Sequence, residues 1–311
     1  MRVVYSPRYQ IDIGAHVFPT LKYRMVHDRL IEAGVVPVSD IVEPEPAGWE
    51  QLALVHTSEY LDKLRTGTLT ADDIAELELP WSPEMVEGFR LMAGGTIMAS
   101  RIACGLTGGR ESFSSQRSET TLVPVCHIGG GLHHAFPNHG EGFCPLNDVA
   151  VATRVLQGLG IERVAIVDLD VHHGNGTAFV FESDPRVFTF SMHQQNNYPM
   201  WKPRGSLDIG LADGTPDATY VAALTGALPT VMASDPQCVF YLAGADAYED
   251  DQLGGLRLTR EGLRARDRLV IETARAAGVP LVITLAGGYA RRAEDTVAIH
   301  VATVEEALGR S

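Results

Sequence analysis

The chain has 311 residues, 45% of them hydrophobic, which is enough to bury one large α/β core or two smaller ones. Thirty-nine acidic residues against 25 basic ones give a formal charge of −14, which speaks against nucleic acid and weakly favours cationic partners. Four cysteines (Cys104, Cys126, Cys144 and Cys238) show no CxxC spacing. With no signal peptide and no apolar run of membrane-spanning length, they predict a cytoplasmic protein with reduced thiols.

Strands and helices alternate along the chain. A first strand is predicted over residues 3–5 and a helix over 23–33, followed by a Pro-rich surface loop over 42–48. Helices follow over 58–65 and 83–104, the second opening on Ser82-Pro83-Glu84, a cap residue, a proline and an acid. A Gly/Ser/Arg-rich loop over 107–119 leads to a strand over 122–127 and a helix over 146–159, closed by Gly160. Strands over 163–170 and 186–191 precede a helix over 216–233. Then come a strand over 237–244, a helix over 260–277 closed by Gly278, a strand over 280–286 and a helix over 294–308. The strands are short continuous apolar runs rather than alternating ones, so they should be buried on both faces of a mainly parallel sheet. There is no repeat, low-complexity tract or linker, and residues 1–311 read as a single domain.

The chemistry gathers after the carboxyl ends of these strands, where open parallel sheets place their sites. Asp168-Leu169-Asp170-Val171-His172-His173-Gly174-Asn175-Gly176 ends the strand over 163–170. On a continuing strand Asp168, Asp170 and His172 would share a face. Two buried carboxylates and an imidazole are costly to desolvate without a cation, and such ligands suit zinc or another first-row dication. Three further strand ends supply Gly129-Gly130-Gly131-Leu132-His133-His134, Ala243-Gly244-Ala245-Asp246 and Ala286-Gly287-Gly288-Tyr289. Each is weak alone, since adjacent histidines are often surface and a tyrosine is usually packing. Together they make the pattern of a mononuclear zinc hydrolase with histidine acid and base and an oxyanion donor.

The segments GGGLHHA (129–135), GEGFCPLND (140–148), DLDVHHGNG (168–176), AGAD (243–246), DQLGGLRLT (251–259) and AGGY (286–289) resemble the histone deacetylase family, in its order and at comparable spacings. YSPRY at residue 5 and LVHTSEYL (54–61) extend the similarity over most of the chain, and the pattern is most like the class IV branch with its bacterial members. The resemblance implies an arginase/deacetylase-like three-layer α/β/α fold with a mostly parallel sheet of eight strands, of which six are legible in the residues. It implies Asp170, His172 and Asp246 as zinc ligands, His133 and His134 as the catalytic pair, and Tyr289 as donor to the substrate carbonyl. Asp168 would orient the first histidine and Asn175 the second, where several relatives carry aspartate. The amide supports a charged histidine less, so His134 should be neutral and His133 positively charged. Gly142, Phe143 and Tyr198 match the narrow acyl-lysine channel. The family's monovalent cation, potassium, would sit on backbone oxygens of Asp168, Asp170, His172, Ser191 and Met192.

The implied reaction is zinc-assisted hydrolysis of acyl-lysine in proteins or peptides. A small cationic amide such as an acetylpolyamine is an alternative substrate that a narrow channel and acidic surface would suit. A two-metal ureohydrolase would need a second histidine–carboxylate set, which the sequence does not display. A non-catalytic acyl-binding protein of acetoin or acetyl metabolism should have lost a ligand or Tyr289, and none is lost.

Overall fold

Each apolar run read as a strand lies in one sheet of the computed structural model, which describes residues 1–106 and 123–310. The strands are Val3–Val4 (β1), Ile41–Val42 (β2), Val125–His127 (β3), Val164–Asp168 (β4), Val187–Gln194 (β5), Leu207–Leu211 (β6), Cys238–Leu242 (β7) and Leu281–Thr284 (β8). Their spatial order is β2-β1-β3-β8-β7-β4-β5-β6, and every pairing is parallel. Strands β3, β4, β7 and β8 are buried along their whole length, as expected of apolar runs covered on both faces. The two strands not read from the residues, β2 and β6, are the two edges. β2 is two half-buried residues, the second of which, Val42, opens the stretch expected as a Pro-rich loop. β6 reads Leu-Asp-Ile-Gly-Leu with its polar positions exposed, and this alternation of one open face conceals it among buried runs.

The helices are Leu21–Glu32 (α1), Trp49–Leu52 (α2), Ser58–Thr66 (α3), Ala71–Leu77 (α4), Pro83–Ala103 (α5), Asp148–Gly158 (α6), Asn175–Phe181 (α7), Asp217–Met232 (α8), Arg260–Ala276 (α9) and Ala293–Ala307 (α10). One layer runs α1-α10-α9-α8, and the other is built around α5 packed on α6, giving three layers α/β/α. The α5 start is capped as its sequence signals, Ser82 accepting from the Met85 N–H with Pro83 in the first turn. Short α2, α4 and α7 were not expected, because each is under three turns and carries no long apolar period. The loop expected over 107–119, and Leu122 of the strand expected over 122–127, lie outside the described residues. No described helix is long and apolar enough to cross a membrane.

Strands β3, β8, β7 and β4 are consecutive neighbours at the centre of the sheet, so their four carboxyl-terminal loops meet. One local expectation is corrected here. The strand expected over 163–170 ends at Asp168, and Leu169 onward is loop. The pleat therefore does not align Asp170 and His172. Instead Asp168 Oδ1 accepts from the Asp170 N–H (3.2 Å) and Asp170 Oδ1 accepts from the His172 N–H (3.0 Å). Two successive turns of the Asx kind thus carry the backbone round the site.

Candidate active site

Asp170 and His172 after β4 and Asp246 after β7 bring three potential ligand atoms within 4.8 Å of one another, all on buried side chains. His172 Nδ1 lies 3.0 Å from Asp170 Oδ1 and 3.5 Å from Asp246 Oδ2. Asp170 Oδ2 accepts from the Gly287 N–H and Asp246 Oδ1 from the Val171 N–H, both at 2.9 Å. Asp246 Oδ2 is buried with no hydrogen-bond partner among the described residues. Burial and the neighbouring Asp170 carboxylate push the Asp246 carboxyl up. Burial opposes a charge on His172, but Asp170 and Asp246 outweigh it and raise the imidazole to about 10. Two crowded carboxylates, an orphaned oxygen and an imidazole drawn toward a positive charge are what a dication would relieve, so the residues fit a metal. The surrounding backbone is close. A Cβ at Gly287 would lie 2.0 Å from Asp246 Oδ2 and 2.5 Å from Asp170 Oδ2.

The histidine pair follows β3. His133 Nδ1 lies 2.6 Å from Asp168 Oδ2, His134 Nδ1 lies 2.7 Å from Asn175 Oδ1, and the two Nε2 atoms are 3.1 Å apart. Burial pushes His133 down, but the carboxylates of Asp168 and Asp170 overcome it and raise the imidazole to about 9. His134 is held well below the ordinary histidine value by burial and by the charges of His133 and His172. Two adjacent imidazoles are thereby driven to opposite protonation states, the arrangement acid–base sites use. Facing an amide oxygen, the His134 Nδ1–H donates to Asn175 Oδ1, which places the lone pair of the neutral imidazole on Nε2.

Tyr289 follows β8 and faces the same cavity, with its ring 6.1 Å from that of Phe143. Its hydroxyl forms no hydrogen bond among the described residues, and burial followed by the Asp170 and Asp246 charges keeps it protonated. The cavity has a volume of ≈ 180 Å³ and is lined by Gly142, Phe143, Tyr198, Asp170, His172 and both histidines of the pair, together with Tyr289. Tyr198 approaches edge-on to His134 at 5.0 Å between ring centres. Phe143 adopts φ +66°, a strained conformation for a residue with a Cβ, at the cavity wall. The register pairs Asp168 with Ser191, so the two backbone segments expected from the resemblance to hold a monovalent cation are neighbours.

Several supporting residues were not singled out from the sequence. Asp251, inside the DQLGGL segment, accepts from the Tyr289 N–H (2.7 Å) through one oxygen and from the Leu253 and Gly254 N–H groups through the other. Asp148 accepts from the Gly131 and Leu132 N–H groups and holds the glycine loop before the histidine pair. Lys22, buried in α1, donates to the Ala286 carbonyl (2.8 Å) and lies 5.4 Å from the Tyr289 ring centre. Burial lowers its ammonium to about 8, against the pull of Asp246, Asp170 and Asp251. Glu78 and Phe18 also line the cavity. Asp148 and Asp251 lie in the quoted motifs, and the signal that would have found them is a carboxylate beside a glycine turn whose N–H groups need acceptors. The structure also assembles a second histidine–carboxylate group, Glu76, His139 and Glu141, which the sequence did not display. Its glutamates come from α4 and from the loop before Gly142, it shares no residue with the first group, and Glu76 is exposed, so it forms no two-metal centre with Asp170 and Asp246.

The profile of a family described as "Histone deacetylase domain" matches residues 16–304. Histone deacetylase 2 of Arabidopsis thaliana is 30% identical over 311 aligned positions, covering 95% of this chain and 76% of that protein. The acetoin utilization protein AcuC of Bacillus subtilis (strain 168) is 31% identical, covering 82% of this chain and 68% of that protein. Among solved structures, the HD domain of HDA15 superposes with a TM-score of 0.81 at 26% identity, covering 99% of this chain and 91% of that one.

Proposed function

Because the chain belongs to the histone deacetylase family, we propose that it is a zinc-dependent amidohydrolase removing acetyl or longer acyl groups from lysine side chains of proteins or peptides. In this reading residues 1–311 act as one catalytic domain in the cytoplasm, and the class IV resemblance of the motifs is retained. The observation that carries it is the buried Asp170–His172–Asp246 group opening on the same cavity as His134 and Tyr289. A dication held by those three residues, with zinc suited to one imidazole and two carboxylates, supplies polarisation of the acyl carbonyl and makes water more acidic.

The remaining steps belong to the chain. His134, neutral and with its Nδ1–H committed to Asn175, offers the Nε2 lone pair to the attacking water and later returns that proton to the leaving amine. His133, kept cationic by Asp168, adds positive charge beside the forming oxyanion. Tyr289 donates its hydroxyl to the same oxygen. Phe143, Tyr198 and Gly142 enclose the aliphatic stem and keep bulk water from the cleaved bond. Backbone oxygens of Asp168, Asp170, His172, Ser191 and Met192 are assigned to a structural potassium ion.

A second reading, hydrolysis of a small cationic amide such as an acetylpolyamine, draws support from Glu78 in the cavity lining and from the formal charge of −14. The likeness to AcuC supports a third, an acyl-binding role in acetoin or acetyl metabolism. Zinc-loaded protein assayed on lysine peptides carrying acetyl through long fatty-acyl groups, beside acetylspermidine, separates them. The proposal expects the highest kcat/KM on an acyl-lysine peptide. Acetylspermidine as the better substrate establishes the second reading, and binding without turnover the third.

A further inference from the structure

Asn175 faces His134 at 2.7 Å, and a neutral amide by itself does not determine the state of the histidine it faces. An asparagine can present either its oxygen or its NH2 to His134 Nδ1. With the oxygen forward, His134 carries its proton on Nδ1 and keeps Nε2 free to accept. With the NH2 forward, the proton moves to Nε2 and the base is disabled. The structure contains a group that decides between these. Asn175 Nδ2 donates to Glu141 Oε1 at 2.9 Å, and the same oxygen accepts from the Tyr198 hydroxyl at 2.8 Å. An ionised carboxylate only accepts, so Asn175 must turn its NH2 to Glu141 and its oxygen to His134.

We propose that Glu141 is a positioning residue for the reaction proposed above, acting through Asn175 to fix the proton of His134 on Nδ1 and through Tyr198 to hold the channel wall beside that histidine. The inference rests on that reading of His134 as the base. Glu141 itself is firmly placed. Its N–H donates to the Cys144 carbonyl (3.2 Å), and its own carbonyl accepts from the Cys144 N–H (2.9 Å), closing a tight turn that also contains Gly142 and Phe143. Burial alone would push its carboxyl up, but contacts with His139, Tyr198 and Asn175 outweigh it and hold the group below the usual glutamate value, hence ionised. The negative charge that an aspartate would place directly against His134 is thus set one residue further out. An aspartate at 175 would put a second carboxylate against Glu141, where Asn175 Nδ2 now sits 2.9 Å away.

That juxtaposition gives a reciprocal test with zinc-loaded full-length protein and one N-acetyl-lysine peptide as the probe. Glu141→Ala should lower kcat by about 10–100-fold, the usual effect of losing a residue that orients an active-site histidine, while zinc content and circular dichroism stay at wild-type values. Glu141→Gln, whose amide oxygen still accepts from both neighbours, should stay within a few-fold of wild type. Asn175→Asp should be damaging alone, yet Asn175→Asp combined with Glu141→Gln should recover at least tenfold of the loss (about 1.4 kcal/mol of coupling), because the glutamine NH2 can donate to the new carboxylate and to Tyr198. Independent, additive effects of the two substitutions would overturn the proposal, as would an unimpaired Glu141→Ala. A second readout needs no turnover: nitrogen-15 spectra of histidine-labelled protein should show the Nδ1–H form of His134 in wild type and in Glu141→Gln, and a mixture of both forms in Glu141→Ala. A single unchanged form in Glu141→Ala contradicts the inference even if the peptide is not a substrate. Failure of wild type to cleave the peptide bears instead on the substrate reading.

Discussion

Replacing Tyr289 by phenylalanine removes one hydroxyl that no described residue bonds. Tyr289→Phe should therefore retain zinc content and thermal stability while kcat falls by about 10²–10³-fold, the usual consequence of losing one oxyanion donor. A packing role would give the reverse, lost stability with preserved rate. The histidine pair divides in the same manner. His134→Ala should cost far more kcat than His133→Ala, since the first removes the proton acceptor and the second an adjacent charge. His133 also carries a stability signature. Its folded-state pKa is about 9 against an ordinary 6.5, so its attraction to Asp168 adds stability that is fully present below pH 6.5 and is lost as pH rises through 9. In urea unfolding at a series of pH values, His133→Ala should thus destabilise most at the acid end and progressively less above the raised pKa. A pH-independent difference would mean that His133 is not cationic in the folded protein.

At the level of elements, the loops matter as much as the ligands they carry. Gly287→Ala alters no ligand, yet its Cβ would lie 2.0 Å from Asp246 Oδ2. It should abolish zinc binding, and retention of one zinc per chain would show that the loop after β8 can yield. Asp251→Ala leaves the Tyr289, Leu253 and Gly254 N–H groups without their acceptor, and should cost about 1–3 kcal/mol of stability together with a reduced kcat. The central strands were legible because burial on both faces writes a continuous apolar run, and β4, β7 and β8 are such runs. The edges β2 and β6 were not, one because it has two residues and the other because its open face breaks the run with Asp208 and Gly210. Strand alternation suggested a shared face for Asp168, Asp170 and His172, although the strand stops at Asp168 and side-chain turns do the aligning; the set Asp170, His172 and Asp246 came from the family resemblance. Glu141 was invisible for a plainer reason: nothing in GEGF says that its carboxylate meets Asn175, 34 residues along the chain.

For the molecule as a whole, a single parallel sheet brings four chemically distinct loops to one rim, and the site needs all four. The crowding of Asp170 and Asp246 beside His172 creates a demand that a cation would meet. The same demand predicts that metal removal acts on stability as well as rate, since a dication that binds only the folded chain stabilises it by mass action. Metal-free protein should therefore melt lower than zinc-loaded protein, and Asp246→Ala should show no such difference. The most direct measurement is acetate release from an N-acetyl-lysine peptide as metal-free protein is titrated with zinc, run beside Asp246→Ala. Activity should rise with zinc and level off at about one equivalent per chain, with the variant silent throughout. Hydrolysis undiminished without metal, or undiminished in Asp246→Ala, would contradict it.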